Sequence, residues 1–151
     1  MTALETPLPL FVYGTLKTGQ GNHASHFTTG AIRAVRPAKV RDISLYADDR
    51  IPYAVPRRGS TTYGEVINLA DAERPGAADQ ARRAIDRLEG FDPAHPDRGW
   101  YRRIAIVAVT LTNATPVTCW IYVMAEPPPD ARPVLGGVWL SGSRSGAPLA
   151  R

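Results

Sequence analysis

One glutamate, Glu89, has the type and position that general-base chemistry requires. Apolar residues recur at steps of three and four over Gly76–Glu89, which predicts a helix with one buried face. That face consists of Ala78, Ala81, Ile85 and Leu88. Gly90 is typical of a helix end, so Glu89 lies in the last turn, at the edge of the buried face. Apolar neighbours raise the pKa of a carboxyl group and suit it to accept a proton. The same pattern also fits a solvated carboxylate that pairs with Arg82 or Arg83.

A second glutamate, Glu65, lies in a segment with the periodicity of a strand. Residues alternate over Thr61–Leu69, which predicts that Glu65 shares a face with Tyr63 and Ile67. An unpaired buried carboxylate is costly, so a glutamate on an apolar face is a candidate for function. The alternative is a carboxylate that pairs with an arginine or faces solvent near the strand end.

A short strand followed by a glycine-rich loop is a candidate anion site. Leu10–Tyr13 is an apolar run typical of a buried strand, and Gly14, Gly19 and Gly21 follow it. Such a loop can turn successive N–H groups toward one point. The spacing of Gly14 and Gly19 matches a nucleotide-binding P-loop, but Gln20 and Gly21 replace the Lys and Ser/Thr that it requires. A P-loop is therefore disfavoured, and the residues leave open an anion nest or an ordinary turn.

Composition favours a small single-domain protein with small-molecule partners. The chain has 151 residues and a net charge of +4, from 18 basic and 14 acidic residues. The basic residues are scattered and not interleaved with aromatic ones, which favours small anions over nucleic acid as partners. Residues 1–9 carry no basic region typical of a signal peptide, and no apolar run approaches the roughly 18 residues of a membrane span. We therefore expect a cytoplasmic protein without membrane contact.

The cysteine and the histidines predict neither a disulfide nor a metal site. The single cysteine, Cys119, lies in an apolar run and is expected to be an inert core thiol. His23 and His26 are spaced to share a metal, but no Cys, Asp or Glu nearby completes a site. His95 is expected to be exposed.

The remaining segments predict an α+β architecture in a single domain. Predicted strands lie at 31–45 (two strands broken near Pro37), 51–55, 61–69, 101–111 and 117–125. The run Cys119–Met124 is apolar on both faces, which predicts a central strand. From Glu126 the chain is rich in proline and small polar residues, which predicts a mobile polar tail over 126–151.

Three stretches of the chain resemble the γ-glutamylcyclotransferase-like family, which includes γ-glutamylamine cyclotransferases and plant AIG2-like proteins. They are VYGTLKTGQGNH, LYADDRIPYAVP and AIDRLEGFDPAHPDRGWYRR. The resemblance covers about residues 8–125 and implies a mixed β-barrel flanked by helices. It also implies that Glu89, before the glycine, is the catalytic residue and that Tyr101 contacts substrate. Glu65, on its strand face, is a further candidate for contact with the substrate cavity, either in support of the base or in a pair with an arginine. The backbone N–H groups implied to hold an α-carboxylate belong to Tyr13, Gly14, Thr15 and Leu16.

The reaction that the resemblance implies is an intramolecular aminolysis of a small γ-glutamyl compound. The α-amine attacks its own γ-carbonyl, giving 5-oxoproline and a free amine or amino acid, while Glu89 takes the proton of the α-ammonium group. No metal, nucleotide or other cofactor is required. Two alternatives stay open: a binding module that uses the same loop and cavity without turnover, and a related acyl-transfer enzyme that removes a γ-glutamyl protecting group in a biosynthetic pathway. The leaving amine and the oligomeric state are left open.

Overall fold

Five strands close into a mixed barrel in the computed structural model, which describes residues 8–14, 32–48, 51–69, 77–95, 99 and 101–138. The elements are β1 (Leu10–Val12), β2 (Ile32–Ala47), β3 (Pro52–Leu69), α1 (Ala77–Glu89), β4 (Arg102–Thr110), β5 (Pro116–Val123) and β6 (Arg132–Pro133). The sheet order is β3-β1-β5-β4-β2, and β2 pairs back with β3 to close the barrel. Strands β1 and β5 are parallel, whereas their other partners are antiparallel. The predicted α+β domain with a mixed barrel is thus confirmed.

Two apolar layers hold the barrel and the helix together. One fills the barrel and contains Phe11, Tyr13, Ala38, Val40, Ile43, Leu45, Ala54, Val66, Ala108, Cys119, Ile121 and Val123. The other lies between the barrel and α1 and contains Leu10, Val12, Val55, Ile67, Ala81, Ile85, Phe91, Tyr101, Tyr122 and Met124. Because successive residues of a strand point to opposite faces, β1, β3 and β5 contribute to both layers. Strand β5 lies between β1 and β4, which confirms the predicted central strand.

The segment 31–45 forms most of one continuous strand, so the prediction of two strands is wrong. Pro37 lies inside β2, and its carbonyl accepts a hydrogen bond from the N–H of Leu111 at 2.9 Å. The nitrogen of Pro37 points to the same edge of β2 as this carbonyl. That edge faces β4, which pairs with β2 from Ala38 and Thr110 onward, and not β3. The missing N–H therefore removes no hydrogen bond between β2 and β3, and the strand continues through the proline.

Strand β3 unites the two segments predicted at 51–55 and 61–69. Both segments pair with β2. Between the paired residues Pro56 and Thr61, the four residues Arg57–Ser60 lie opposite Asp42 alone. Asp42 has a positive φ of 62°, and its Oδ1 accepts a hydrogen bond from the N–H of Gly59 at 2.9 Å. The residues between the two predicted strands therefore form a bulge within one strand.

Part of the predicted polar tail extends the sheet instead. Strand β6 pairs with the end of β2, and the N–H of Val134 donates to the carbonyl of Leu45 at 2.7 Å. The carbonyl of Gly137 accepts a hydrogen bond from the N–H of Tyr63 at 2.8 Å. The predicted boundary near residue 125 is therefore too early, and residues 139–151 lie outside the described part of the chain.

The helix α1 ends at the predicted residue and packs with the predicted face. Ala81 and Ile85 are buried against the barrel. Gly76 and the side chains of Ala78 and Leu88 lie outside the described part. Among the described residues, no helix is long and apolar enough to span a membrane.

Candidate active site

The end of α1 fixes the backbone that carries Glu89. Gly90 has a φ of 69°, a left-handed conformation that glycine adopts without strain. The N–H of Gly90 donates to the carbonyl of Arg87 at 3.2 Å, and the N–H of Phe91 donates to the carbonyl of Asp86 at 2.8 Å. This pair of hydrogen bonds is the Schellman motif, and the buried Phe91 supplies its apolar contact. The last turn of α1, which carries Glu89, is therefore held in place by two backbone hydrogen bonds and an apolar contact.

Tyr13, at the end of β1, lies within electrostatic reach of Tyr101 and Glu89. Burial raises the pKa of Tyr13 well above its usual value, and the side chains of Tyr101 and Glu89 raise it further. The hydroxyl group of Tyr13 donates a hydrogen bond to the carbonyl of Tyr122 at 2.7 Å. The layer between the barrel and α1 contains Leu10 and Val12 of β1 together with Ala81 and Ile85 of α1, so the helix packs against this strand. Because its pKa is raised, the phenol of Tyr13 is neutral near neutral pH. The side chain of Glu89 is partly buried.

Gly14 follows β1 at a point where a side chain does not fit. A Cβ atom there would lie 2.5 Å from Cγ of Pro52, the first residue of β3. The close approach, and not a positive φ, therefore accounts for glycine at this position. Thr15 and Leu16, the rest of the predicted anion-binding loop, lie outside the described residues, as do His23 and His26.

Glu65 lies opposite Val12 in the pairing of β1 with β3. Residues directly opposite each other point to the same face, so Glu65 shares the side of the barrel that α1 covers. Its side chain is partly buried. A role for Glu65 in substrate binding stays a prediction.

The sequence interpretation missed Asp86, which it did not consider as a site residue. Asp86 is only 3% exposed, and its carboxylate accepts hydrogen bonds from Arg82 at 3.0 Å, from Arg103 at 2.9 and 3.1 Å, and from the hydroxyl of Tyr122. Burial raises the pKa of Tyr122, and Asp86 and Glu89 raise it further. The sequence feature that could have identified Asp86 is its position on the helix, because Asp86 follows the core residue Ile85 and precedes Glu89 by one helical turn.

Arg103 is the cation that faces Asp86 from the barrel. Its guanidinium group lies over the rings of Phe91 and Trp120, at 5.0 and 4.7 Å from their centroids. The aromatic faces attract a cation and shield it from water. Arg103 therefore joins β4, β5 and the segment after α1 around one buried carboxylate.

An open depression of about 390 Å³ adjoins the helix end and is lined by Gly99, Met124, Ala125 and Glu126. Gly99 lies against the carbonyl of Gly90, where a Cβ atom would approach to 2.4 Å. Binding sites for small molecules are commonly of this size or larger. Among the described residues no three His, Cys, Asp or Glu side chains are grouped to hold a metal ion, and His95 is exposed as predicted.

Comparison with known proteins identifies the family. A family model described as Gamma-glutamyl cyclotransferase, AIG2-like matches residues 10–141 of the chain. The chain belongs to this family. The resemblance predicted from the three sequence stretches is thereby confirmed.

Relatives from animals and bacteria share this similarity. The gamma-glutamylaminecyclotransferase of Bos taurus is 29% identical over 129 residues, which cover 81% of this chain and 68% of that protein. The gamma-glutamylcyclotransferase family protein ytfP of Citrobacter rodentium is 30% identical over 132 residues, which cover 87% and 94%. The crystal structure of an aig2-like protein from Mus musculus matches with a TM-score of 0.61 and 25% identity, over 83% of this chain and 82% of the mouse chain.

Proposed function

We propose that this protein is a cyclotransferase that converts a γ-glutamyl amide or γ-glutamyl amino acid to 5-oxoproline and the free amine. The observation that supports the proposal is the packing of α1, which ends at Glu89, in one apolar layer with β1, after which the predicted anion-binding loop begins. The proposed roles are a carboxylate, Glu89, that accepts a proton and backbone N–H groups of residues 13–16 that hold an anion. Membership of the family supports the same reaction class.

The chemistry needs few groups because the nucleophile is already part of the substrate. The enzyme folds the substrate so that the α-amine approaches the γ-carbonyl, and proximity then lowers the barrier. Glu89 removes one proton from the α-ammonium group, and the free amine attacks the γ-carbonyl carbon. As the bond to the leaving nitrogen breaks, that nitrogen receives this proton from Glu89, which is ionised again. The ring nitrogen then gives up its second extra proton, which also passes to the leaving nitrogen, so the products are 5-oxoproline with a neutral amide nitrogen and the amine in its ammonium form.

The neighbouring phenols suit an anionic substrate. Burial and nearby side chains raise the pKa values of Tyr13 and Tyr122, so both phenols are neutral at neutral pH. A neutral phenol does not repel the α-carboxylate that the N–H groups of residues 13–16 would hold. Loop donors would also stabilise the negative charge that develops on the γ-carbonyl oxygen.

A panel of γ-glutamyl amines, amino acids and peptides, assayed for 5-oxoproline, tests this function. We expect steady release of 5-oxoproline from at least one compound, unchanged by EDTA because the mechanism uses no metal. Binding without any product would instead favour a binding module. Release of free glutamate in place of 5-oxoproline would favour a hydrolytic deprotecting enzyme.

A further inference from the structure

One residue of β5, Tyr122, joins the two sides of the proposed site. Its backbone carbonyl accepts the hydrogen bond from the hydroxyl of Tyr13, at the end of β1. Its own hydroxyl donates to the carboxylate of Asp86 in α1. Tyr122 is 4% exposed, and its ring packs in the layer between the barrel and the helix. The end of β1, where the anion-binding loop begins, is therefore connected to α1 through a single buried residue, Tyr122.

Asp86 transmits this connection to the turn that carries Glu89. The Asp86 side chain is 5% exposed and accepts hydrogen bonds from Arg82, Arg103 and Tyr122, so its position is fixed from three directions. Its backbone carbonyl accepts the hydrogen bond from the N–H of Phe91 that closes the helix. Because Glu89 lies three residues later, it stands one turn along the same helix face.

We propose that Tyr122 and Asp86 are positioning residues that fix Glu89 relative to Tyr13 at the end of β1. This inference rests on the proposed function and names what holds its base in place. A misplacement of about 1 Å can cost on the order of 10²-fold in rate, because the base must meet the α-ammonium group in one narrow geometry. The contact between Tyr122 and Asp86 would restrict such a displacement of the helix end.

The variant Tyr122→Phe isolates the hydroxyl group. It keeps the ring in the apolar layer and the backbone carbonyl that accepts from Tyr13. We expect kcat to fall by about 10- to 100-fold while KM stays within about twofold, because the loop side of the site is intact. An unchanged kcat, or a rise in KM that accounts for the whole loss, would overturn the proposal.

A double-mutant cycle with Asp86→Asn tests whether the two residues act through one contact. The loss of kcat in the double variant should be clearly smaller than the product of the two single losses. Independent, multiplicative losses would contradict the proposal. Asp79→Asn is the matched control, since Asp79 pairs with Arg82 on the same helix but lies at its first turn and is 48% exposed; its kcat should match that of the wild type.

Amide hydrogen exchange gives a readout that does not depend on turnover. The N–H groups of Gly90 and Phe91 close the helix end, so they should exchange about tenfold faster in Tyr122→Phe, while those of the first helix turns keep the wild-type rate. Unchanged exchange at the helix end would refute the proposal even if the substrate were never found. If the wild-type protein forms no 5-oxoproline, but Tyr122→Phe shows the faster exchange at the helix end, only the proposed function is refuted.

Discussion

Replacing Arg103 with methionine removes the cation that faces the buried carboxylate of Asp86. The two side chains are 12% and 5% exposed, and Nη1 lies 2.9 Å from Oδ2, so water and salt screen the pair little. Removing one partner of a buried pair costs about 3–5 kcal/mol, because the remaining charge is left buried without its partner. Asp86 keeps Arg82 and Tyr122 as donors. We therefore expect the lower end of that range, a loss of about 3 kcal/mol in the free energy of unfolding.

Urea and thermal unfolding of Arg103→Met measure this loss. For a chain of this size, about 3 kcal/mol corresponds to a fall in Tm of roughly 6–12 °C. Arg83→Met is the matched control, because Arg83 is 68% exposed and pairs with Asp79 at 2.7 Å on the helix surface. Such a pair contributes about 0–1 kcal/mol. A loss in Arg103→Met no larger than that of Arg83→Met would refute the account of a buried ion pair.

Adding Asp86→Leu to Arg103→Met extends the test. Removing both charges leaves no uncompensated carboxylate, so the double variant should recover part of the stability that the single variant loses. If the double variant is instead less stable than Arg103→Met, the buried unpaired carboxylate is not the cause of the stability loss in Arg103→Met.

Two further predictions concern stability. Gly14→Ala places a Cβ atom 2.5 Å from Cγ of Pro52, so urea unfolding should show a loss of about 1–3 kcal/mol, and a loss near zero would show that the loop moves freely away from β3. Burial raises the pKa of Cys119 to about 11 and the pKa values of Tyr13 and Tyr122 above their usual 10, so the folded protein keeps protons that the unfolded chain releases at high pH. Stability should be complete below about pH 9 and then fall as pH rises, by up to about 1.4 kcal/mol per pH unit for each group. Unfolding curves from pH 8 to 11 check this, and Tyr122→Phe should show a shallower fall; a flat profile would contradict it.

Local patterns predicted the parts of the site that depend on neighbours in sequence. The apolar stripe and Gly90 predicted where α1 ends, and hence where Glu89 lies, because capping is decided within a few residues. The apolar run Cys119–Met124 likewise predicted the central strand β5, since both faces of that strand are covered.

Features that depend on distant partners were not predictable in this way. Asp86 has the helix position of a surface residue, and its burial is favourable because Arg103 and Tyr122, contributed by β4 and β5, join the local partner Arg82. Pro37 breaks no strand, because the side to which its nitrogen points is decided by the pairing of β2 with β3 and β4. In both cases the tertiary neighbour, and not the local propensity, decides the outcome.

The turnover of Glu89→Gln, compared with that of Glu65→Gln, tests the central claim most directly. Glutamine keeps the size of Glu89 but does not accept the α-ammonium proton, so kcat should fall by on the order of 10²–10⁴ while calorimetry still detects substrate binding. The acidic limb of the pH profile of kcat/KM should also disappear in this variant, whereas Glu65→Gln should retain the limb and most of its turnover. Near-normal release of 5-oxoproline by Glu89→Gln, together with its abolition in a folded Glu65→Gln, would contradict the account and make the strand glutamate the base.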